Sequence, residues 1–353
     1  MSSPHFIGLD THCEFCEMVA VTPTGRVTRR QRCATTIPAL VAALESVRRP
    51  RILTFEEGPL ADWLARNLRP HVDQLIVSEP RRNALIAKEG DKDDPIDAER
   101  LANLLRGGYL KEVHQTESVD RMVLKQHVGF YHDRVRERVR QGHQLTALLR
   151  RHGVFASIGE AADPERRRLL WKRLPRKLLR DDLSMLREVY LLLVEQEEQL
   201  KAMVIRLARR VEMVRRFEKL PGIGWIRGIT FYVYIDTPGR FPGKSALWRY
   251  CGIGLERKRS GNGPARIRLS HQGNRRLKDL LLGGAVSAIT QGDNPFADRH
   301  THWTLEKGMH PSTARRNVAR SLAATMWSLW KTGRSYDPTL VCGAGGPSNH
   351  ASS

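Results

Sequence analysis

Leu186, Leu193, Leu200, Leu207 and Val214 recur every seven residues, with Tyr190, Val204 and Val211 at the intermediate positions and Glu197 as the exception. A seven-residue apolar repeat lines one side of a helix and is foreign to a strand, whose side chains alternate every two residues. From Val119 to Leu220 strand signals largely stop, and Val119 to Arg151 reads as another long helix, ending at Gly153. The two long helices are expected either to pair antiparallel within one chain or to form a coiled-coil arm through which copies associate.

The first 115 residues are patterned differently. Phe6 to Leu9 is a short apolar run ending at Asp10, Phe15 to Val21 alternates, Pro23-Thr24-Gly25 supplies a turn, and Arg26 to Cys33 returns as a polar-edged third strand. Ile37 to Val47 and Leu60 to Leu68 have helical spacing. Ile52 to Phe55 and Leu75 to Val77 read as buried strands, and Asp94-Pro95-Ile96-Asp97 opens a helix running to about Arg106. Hairpin-linked strands followed by strand-helix alternation imply a mixed α/β sheet. The last region begins at Leu220-Pro221-Gly222-Ile223-Gly224 and carries helices near Asn274 to Thr290 and Ser312 to Thr332. The expected organisation is an α/β domain over 1–115, a helical region over 116–216, a mainly helical domain over 217–338 and a disordered tail over 339–353.

Lys and Arg number 59 against 38 Asp and Glu, a net charge of +21 in 353 residues. A surplus of this size predicts a polyanionic partner, nucleic acid before membrane surface. The longest helical apolar stretch, Leu280 to Ile289, is too short to span a bilayer, and no secretory signal is visible, so the expected location is the cytoplasm, with no membrane association. The five cysteines are then expected as thiols. Cys13 and Cys16 have zinc-like spacing but no second pair follows; with Cys33 they form a minor zinc alternative.

In so basic a chain the acids at element ends stand out. Asp10 and Glu56 end apolar strands, and Asp94 and Asp97 are three apart at a helix start, where they can share one face. Four such carboxylates suit a pair of Mg²⁺ ions acting on a phosphodiester, with Mn²⁺ as a substitute. Each has a structural alternative: Asp94 before Pro95 fits a helix N-cap, Asp97 a helix-dipole position and Asp10 a turn.

Between Glu256 and Asp279 there is no acid, but Arg257, Lys258, Arg259, Arg266, Arg268, Arg275, Arg276 and Lys278 surround Ser260-Gly261-Asn262-Gly263. The cations suit backbone phosphates, and the Ser260 hydroxyl, in an exposed Gly-rich loop, is either a phosphate contact or a nucleophile. Ser270, beside His271, is a weaker competitor. Gly222 and Gly224 resemble the hairpin of helix-hairpin-helix modules, where glycines let backbone amides approach phosphate; the alternative is an ordinary helix-helix turn.

In order and spacing, these segments resemble the DEDD transposases of insertion-sequence family 110, bridge-RNA-guided recombinases related to the pilin-gene invertases. The resemblance rests on Phe6 to Asp10, Glu56 with Gly58, Lys92 to Ala98, Leu220 to Gly224, Tyr250 to Ile253, Ser260-Gly261 and Gly273 to Leu277. It implies a RuvC-type, ribonuclease-H-like N-terminal domain whose Mg²⁺ site is Asp10, Glu56, Asp94 and Asp97. It implies a C-terminal transposase domain whose nucleophile is Ser260, forming a 5′-phosphoserine link to DNA. It further implies donor and target DNA, a structured bridge RNA, and a dimer or tetramer held by a coiled coil. Glu57 stays open as a ligand because Glu56-Glu57-Gly58 is one residue shorter than the family's spacing; Asp93, where the family has Thr, and Asp91 are lesser candidates. A metal-dependent, structure-selective nuclease and a non-enzymatic nucleic-acid scaffold are the alternatives.

Overall fold

A computed structural model describes residues 3–80, 83, 94–116, 118–174, 176–258, 266–269 and 273–339; for 94–95, 257–258 and 266–269 the description is of the backbone. The chain divides into two compact units, Met1–Val119 and Asp120–Ser353.

In the first unit, β1 (His5–Thr11), β2 (Phe15–Val21) and β3 (Val27–Ala34) form an antiparallel meander. α1 (Ile37–Glu45), β4 (Arg51–Glu56), α2 (Ala61–Leu68), β5 (Gln74–Ser78) and α3 (Asp94–Arg106) follow. The sheet order is β3-β2-β1-β4-β5, with β4 parallel to β1 and β5 parallel to β4. Strand alternation sorts the side chains into two layers. Ile7, Leu9, Met18, Leu53 and Phe55 pack with Leu40 and Leu44 of α1 and Leu64 and Leu68 of α2. On the other face Phe6, Val19 and Val21 pack with Ala98 and Ala102 of α3. Gly8 permits this second layer: a Cβ there would stand 2.0 Å from Ala98 O and 2.6 Å from Ala102 N, so α3 can lie on β1 only where the strand carries no side chain.

The second unit is mostly helical. α4 (Val119–Arg151) and α7 (Lys177–Ala208) run antiparallel, with α5 (Ile158–Ala162) and α6 (Pro164–Lys172) between them in sequence. Along the pair, Gln141 Nε2 donates to Leu186 O at 3.2 Å and Arg138 Nε to Glu197 Oε2 at 2.5 Å. Leu145, Leu149, Trp171 and Leu183 form a small core at one end of this pair. Beyond it come α8 (Glu212–Glu218), α9 (Trp225–Ile235), α10 (Lys244–Tyr250), β6 (Leu255–Lys258), β7 (Arg266–Leu269), α11 (Arg275–Gln291), α12 (Pro295–Thr301) and α13 (Pro311–Thr332). Phe217, Phe231, Leu281, Leu322 and Met326 lie at the centre of their large core, which also takes Val204 and Ala208 from the end of α7. Among the described residues no helix is long and apolar enough to cross a membrane.

One expectation is corrected. The heptad does not run through one helix: α7 ends at Ala208, and Val214 belongs to α8, where it packs into the large core. Its members also serve packing inside the chain, since Leu186 joins the small core and Leu207 and Val211 the large one. The residues flanking the expected loop form an antiparallel ribbon in which Lys258 pairs with Arg266 and Glu256 with Arg268, and the loop itself, Ser260-Gly261-Asn262-Gly263, lies outside the described residues. The segment 339–353 lies, from 340 on, outside the described residues.

Candidate active site

β1 and β4 are neighbours in parallel register, with Gly8 opposite Thr54. Ile7, Leu9, Leu53 and Phe55 are committed to the α1/α2 layer. By alternation Gly8, Asp10, Thr54 and Glu56 belong to the face covered by α3. The direction of α3 follows from its far end, where Arg106 Nη1 donates to Pro23 O at 3.1 Å, just past the β2 residue Val21 that pairs with Phe6. Its first turn therefore lies toward the Asp10 end of β1. The topology brings Asp10, Glu56 and the helix start bearing Asp94 and Asp97 to one end and one face of the sheet.

Each described acid is held by a neighbour. Asp10 Oδ2 accepts from His12 Nε2 at 3.0 Å, Asp97 Oδ1 from Arg100 Nη1 at 3.1 Å and Glu56 Oε1 from Asn83 Nδ2 at 2.8 Å. In this conformation no three His, Cys, Asp or Glu side chains among the described residues stand together as a ligand set. The carboxylates are the donors a hard divalent cation takes. Among the described residues, buried Asn83 Oδ1, on the same side chain that grips Glu56, has no hydrogen-bond partner. The residues thus fit such an ion in chemistry, and the topology sets them at one end of one sheet face. Glu57 is exposed in the turn after β4, where its amide donates to Ser78 O at 2.9 Å; Glu56, half-buried at the strand end, is the member on the face of Asp10. The Asp94 side chain, Asp91 and Asp93 lie outside the described residues.

Among the described residues the cysteines form no comparable centre. Cys16 and Cys33 are cross-strand partners in β2 and β3, and burial pushes both thiols up, Cys33 to about 11, which disfavours the thiolates zinc requires.

In the second unit, Ser260, Arg259 and Ser270 lie outside the described residues. The chain places Ser260 within the seven-residue connection, 259–265, of the β6-β7 ribbon, whose strands contain Arg257, Lys258, Arg266 and Arg268. Arg275 is exposed at the start of α11 and Lys278 is half-buried in its first turn. Arg276 is a structural strut: Nη2 donates to Asp133 Oδ1 of α4 at 2.6 Å and Nη1 to the Tyr234 hydroxyl.

The glycine hairpin joins α8 to α9. Gly222, at φ +76°, lies against α11: a Cβ would stand 2.2 Å from Gly284 O, and its amide donates to Gln291 Oε1 at 3.1 Å. This amide is taken by the fold, which argues for packing rather than phosphate contact at Gly222. Gly224 has open space around it and borders a cavity of about 590 Å³ lined by Tyr131, His132, Trp225, Arg227 and Arg276 among others. The Thr230 hydroxyl donates to Ile226 O at 2.7 Å and therefore accepts from His132 Nε2 at 2.8 Å. Burial, reinforced by nearby Arg276, pushes His132 down to about 4, so it is neutral near pH 7.

Sequence reasoning missed Asn83, Gly8 and the Arg138–Glu197 pair. Gly8, a glycine inside an apolar strand, and Glu197, the break in the heptad, carried a visible signal; Asn83 carried none.

Two family models match the chain: a DEDD transposase model of the IS110 type over residues 7–154, and one for transposases of the IS116/IS110/IS902 family over residues 214–301. The chain is also 22% identical, over 98% of its length and 93% of the relative's, to the transposase for insertion sequence element IS1111A of Coxiella burnetii (strain RSA 493 / Nine Mile phase I). The two models fall on the sheet that carries the acids and on the hairpin-to-α12 region that carries the basic ribbon, and the chain belongs to the IS110 family of transposases.

Proposed function

We propose that this transposase exchanges DNA strands through a covalent serine intermediate. The reading rests above all on the meeting of Asp10, Glu56 and the first turn of α3 at one end of one sheet face. The order β3-β2-β1-β4-β5, with an antiparallel meander leading into parallel strands, supports a ribonuclease-H-like, RuvC-type assignment for this unit.

Asp10, Glu56, Asp94 and Asp97 would hold Mg²⁺ or Mn²⁺, which supplies charge stabilisation to the phosphoryl oxygens. Arg100 and His12, the present partners of Asp97 and Asp10, must then release them. Ser260 Oγ attacks the scissile phosphorus: the Oγ–P bond forms as the P–O3′ bond breaks, the serine proton is lost, and the 3′ oxygen leaves with the bonding pair as a 3′-hydroxyl once protonated. Attack of another strand's 3′-hydroxyl on the phosphoserine reverses these steps, so rejoining needs no ATP. The ribbon cations Arg257, Lys258, Arg266 and Arg268, with Arg259, Arg275 and Lys278, would hold the backbone phosphates of donor and target. A structured bridge RNA would choose those sites by base pairing, and a dimer or tetramer would bring serine and acids together.

The test is strand exchange with purified protein, the element's noncoding RNA, and donor and target DNA. Recombination should require Mg²⁺ or Mn²⁺ and the RNA, and Asp97→Asn should abolish it with the fold intact. Recombination by Asp97→Asn, or hydrolysed ends as the only products, would reject the reading, the latter in favour of a nuclease.

A further inference from the structure

We propose that Asn83 is a positioning residue of the acidic centre, holding Glu56 so that one carboxylate oxygen is occupied and the other is left to meet a divalent cation. The inference rests on the metal reading above and adds a residue to it. Asn83 is only 4% exposed. Its two N–H groups are both used: Nδ2 donates to Glu56 Oε1 at 2.8 Å and to Ser78 Oγ at 2.9 Å. The Ser78 hydroxyl donates to Phe55 O at 3.3 Å, so its oxygen can only accept from Asn83. This relay fixes the orientation of the amide, because the flipped form would set Oδ1 against the Glu56 carboxylate.

Ser78 is the cross-strand partner of Glu56, so Asn83 ties the ends of β4 and β5 together directly beside the acid. Asn83 Oδ1 is buried with no partner among the described residues. A carboxamide kept for packing alone would not carry that cost; one that must present a donor to a carboxylate does. With Oε1 engaged, Glu56 is biased toward single-oxygen coordination. That suits the compact octahedral shell of Mg²⁺ or Mn²⁺ better than Ca²⁺, which readily takes both oxygens of a carboxylate.

The experiment is Mn²⁺ binding to the full-length protein without nucleic acid, read by the electron paramagnetic resonance of free Mn²⁺, with Mg²⁺ and Ca²⁺ as competitors and thermal unfolding of each metal-free variant as the fold control. Asn83→Leu should weaken Mn²⁺ binding by about 10- to 100-fold, move the competition toward Ca²⁺ and keep cooperative unfolding. Asn83→Ala, which also removes the donor, takes its place if the leucine variant does not fold. Ser78→Ala, which loosens the relay but spares the contact to Glu56, should weaken Mn²⁺ binding less than the Asn83 variants do. Wild-type affinity and wild-type Ca²⁺ competition in the Asn83 variants, while Glu56→Gln loses Mn²⁺, would overturn the role of Asn83 alone. Wild-type affinity in both Glu56→Gln and Asp10→Asn would remove the metal centre itself, and this proposal with it.

Discussion

Gly8 of β1 and Ala98 of α3 touch backbone to backbone: a Cβ on Gly8 would stand 2.0 Å from Ala98 O. Asp97 is the residue before Ala98, and Asp10 lies two residues after Gly8 on the same face. The contact sets how near the first turn of α3 comes to the strand ends. Gly8→Ala must push the helix off the sheet, at a cost on the order of 3 kcal/mol. Urea unfolding should show the loss, and metal-dependent strand exchange should fall with it even where the variant is fully folded.

Gly222 makes the equivalent contact in the second unit, and its φ of +76° is strained for any residue with a Cβ. Gly222→Ala should cost about 2 kcal/mol or more, from the clash with Gly284 O and the left-handed backbone together. Gln291→Ala, which removes the acceptor from the Gly222 amide, should cost about 1 kcal/mol. Chemical denaturation of the two variants checks both the magnitudes and their order.

The pH dependence of stability should carry the signature of His132. It is held neutral down to about 4 in the folded chain but protonates near 6.5 when unfolded. Between those values the unfolded state binds the extra proton. The contribution is therefore complete above pH 6.5 and is lost as pH falls toward 4, up to about 3 kcal/mol. His132→Gln should flatten that part of the profile in equilibrium unfolding.

α7 leaves a stripe uncovered within the chain. Leu178, Met185 and Leu192 recur every seven residues with exposures of 72%, 63% and 53%, one position before the heptad that packs internally. This stripe, rather than the Leu186 series, is the seam expected to join copies. Leu192→Glu should lower the mass seen by light scattering to that of a smaller assembly while leaving the circular dichroism of the chain unchanged.

The first unit was largely legible because period-two patterning and turn residues agree there: β2 runs from Phe15 to Val21 as the alternation implies, and α3 from Asp94 to Arg106. Asp10 and Glu56 could be located as strand ends, but their common face became plain only from which neighbours, Leu9 and Phe55, enter the α1/α2 layer. The second unit misled where a period was read without its interruptions. Turn residues at Arg209 and Arg210 end α7 inside the heptad, a break the apolar spacing alone does not register. Glu197, the irregular member, is the partner of Arg138 on the facing helix, information held in a residue far away in sequence. The β6-β7 ribbon was hidden because its strands are short and its connection is rich in glycine. Asn83 had no periodic or motif signal; its meaning arises from Glu56 and Ser78 arriving beside it through the fold.

If strands are exchanged as proposed, the Ser260 hydroxyl becomes bonded to DNA under the control of the acidic centre. The most direct measurement is a denaturing gel of labelled donor DNA after reaction with Mg²⁺ or Mn²⁺, followed by peptide mapping of any protein-linked product. A DNA adduct mapping to Ser260 is expected, absent without the cation and absent in Ser260→Ala and Asp10→Asn. An adduct that persists in Ser260→Ala, or cleavage that yields only free 5′-phosphate ends, would contradict it.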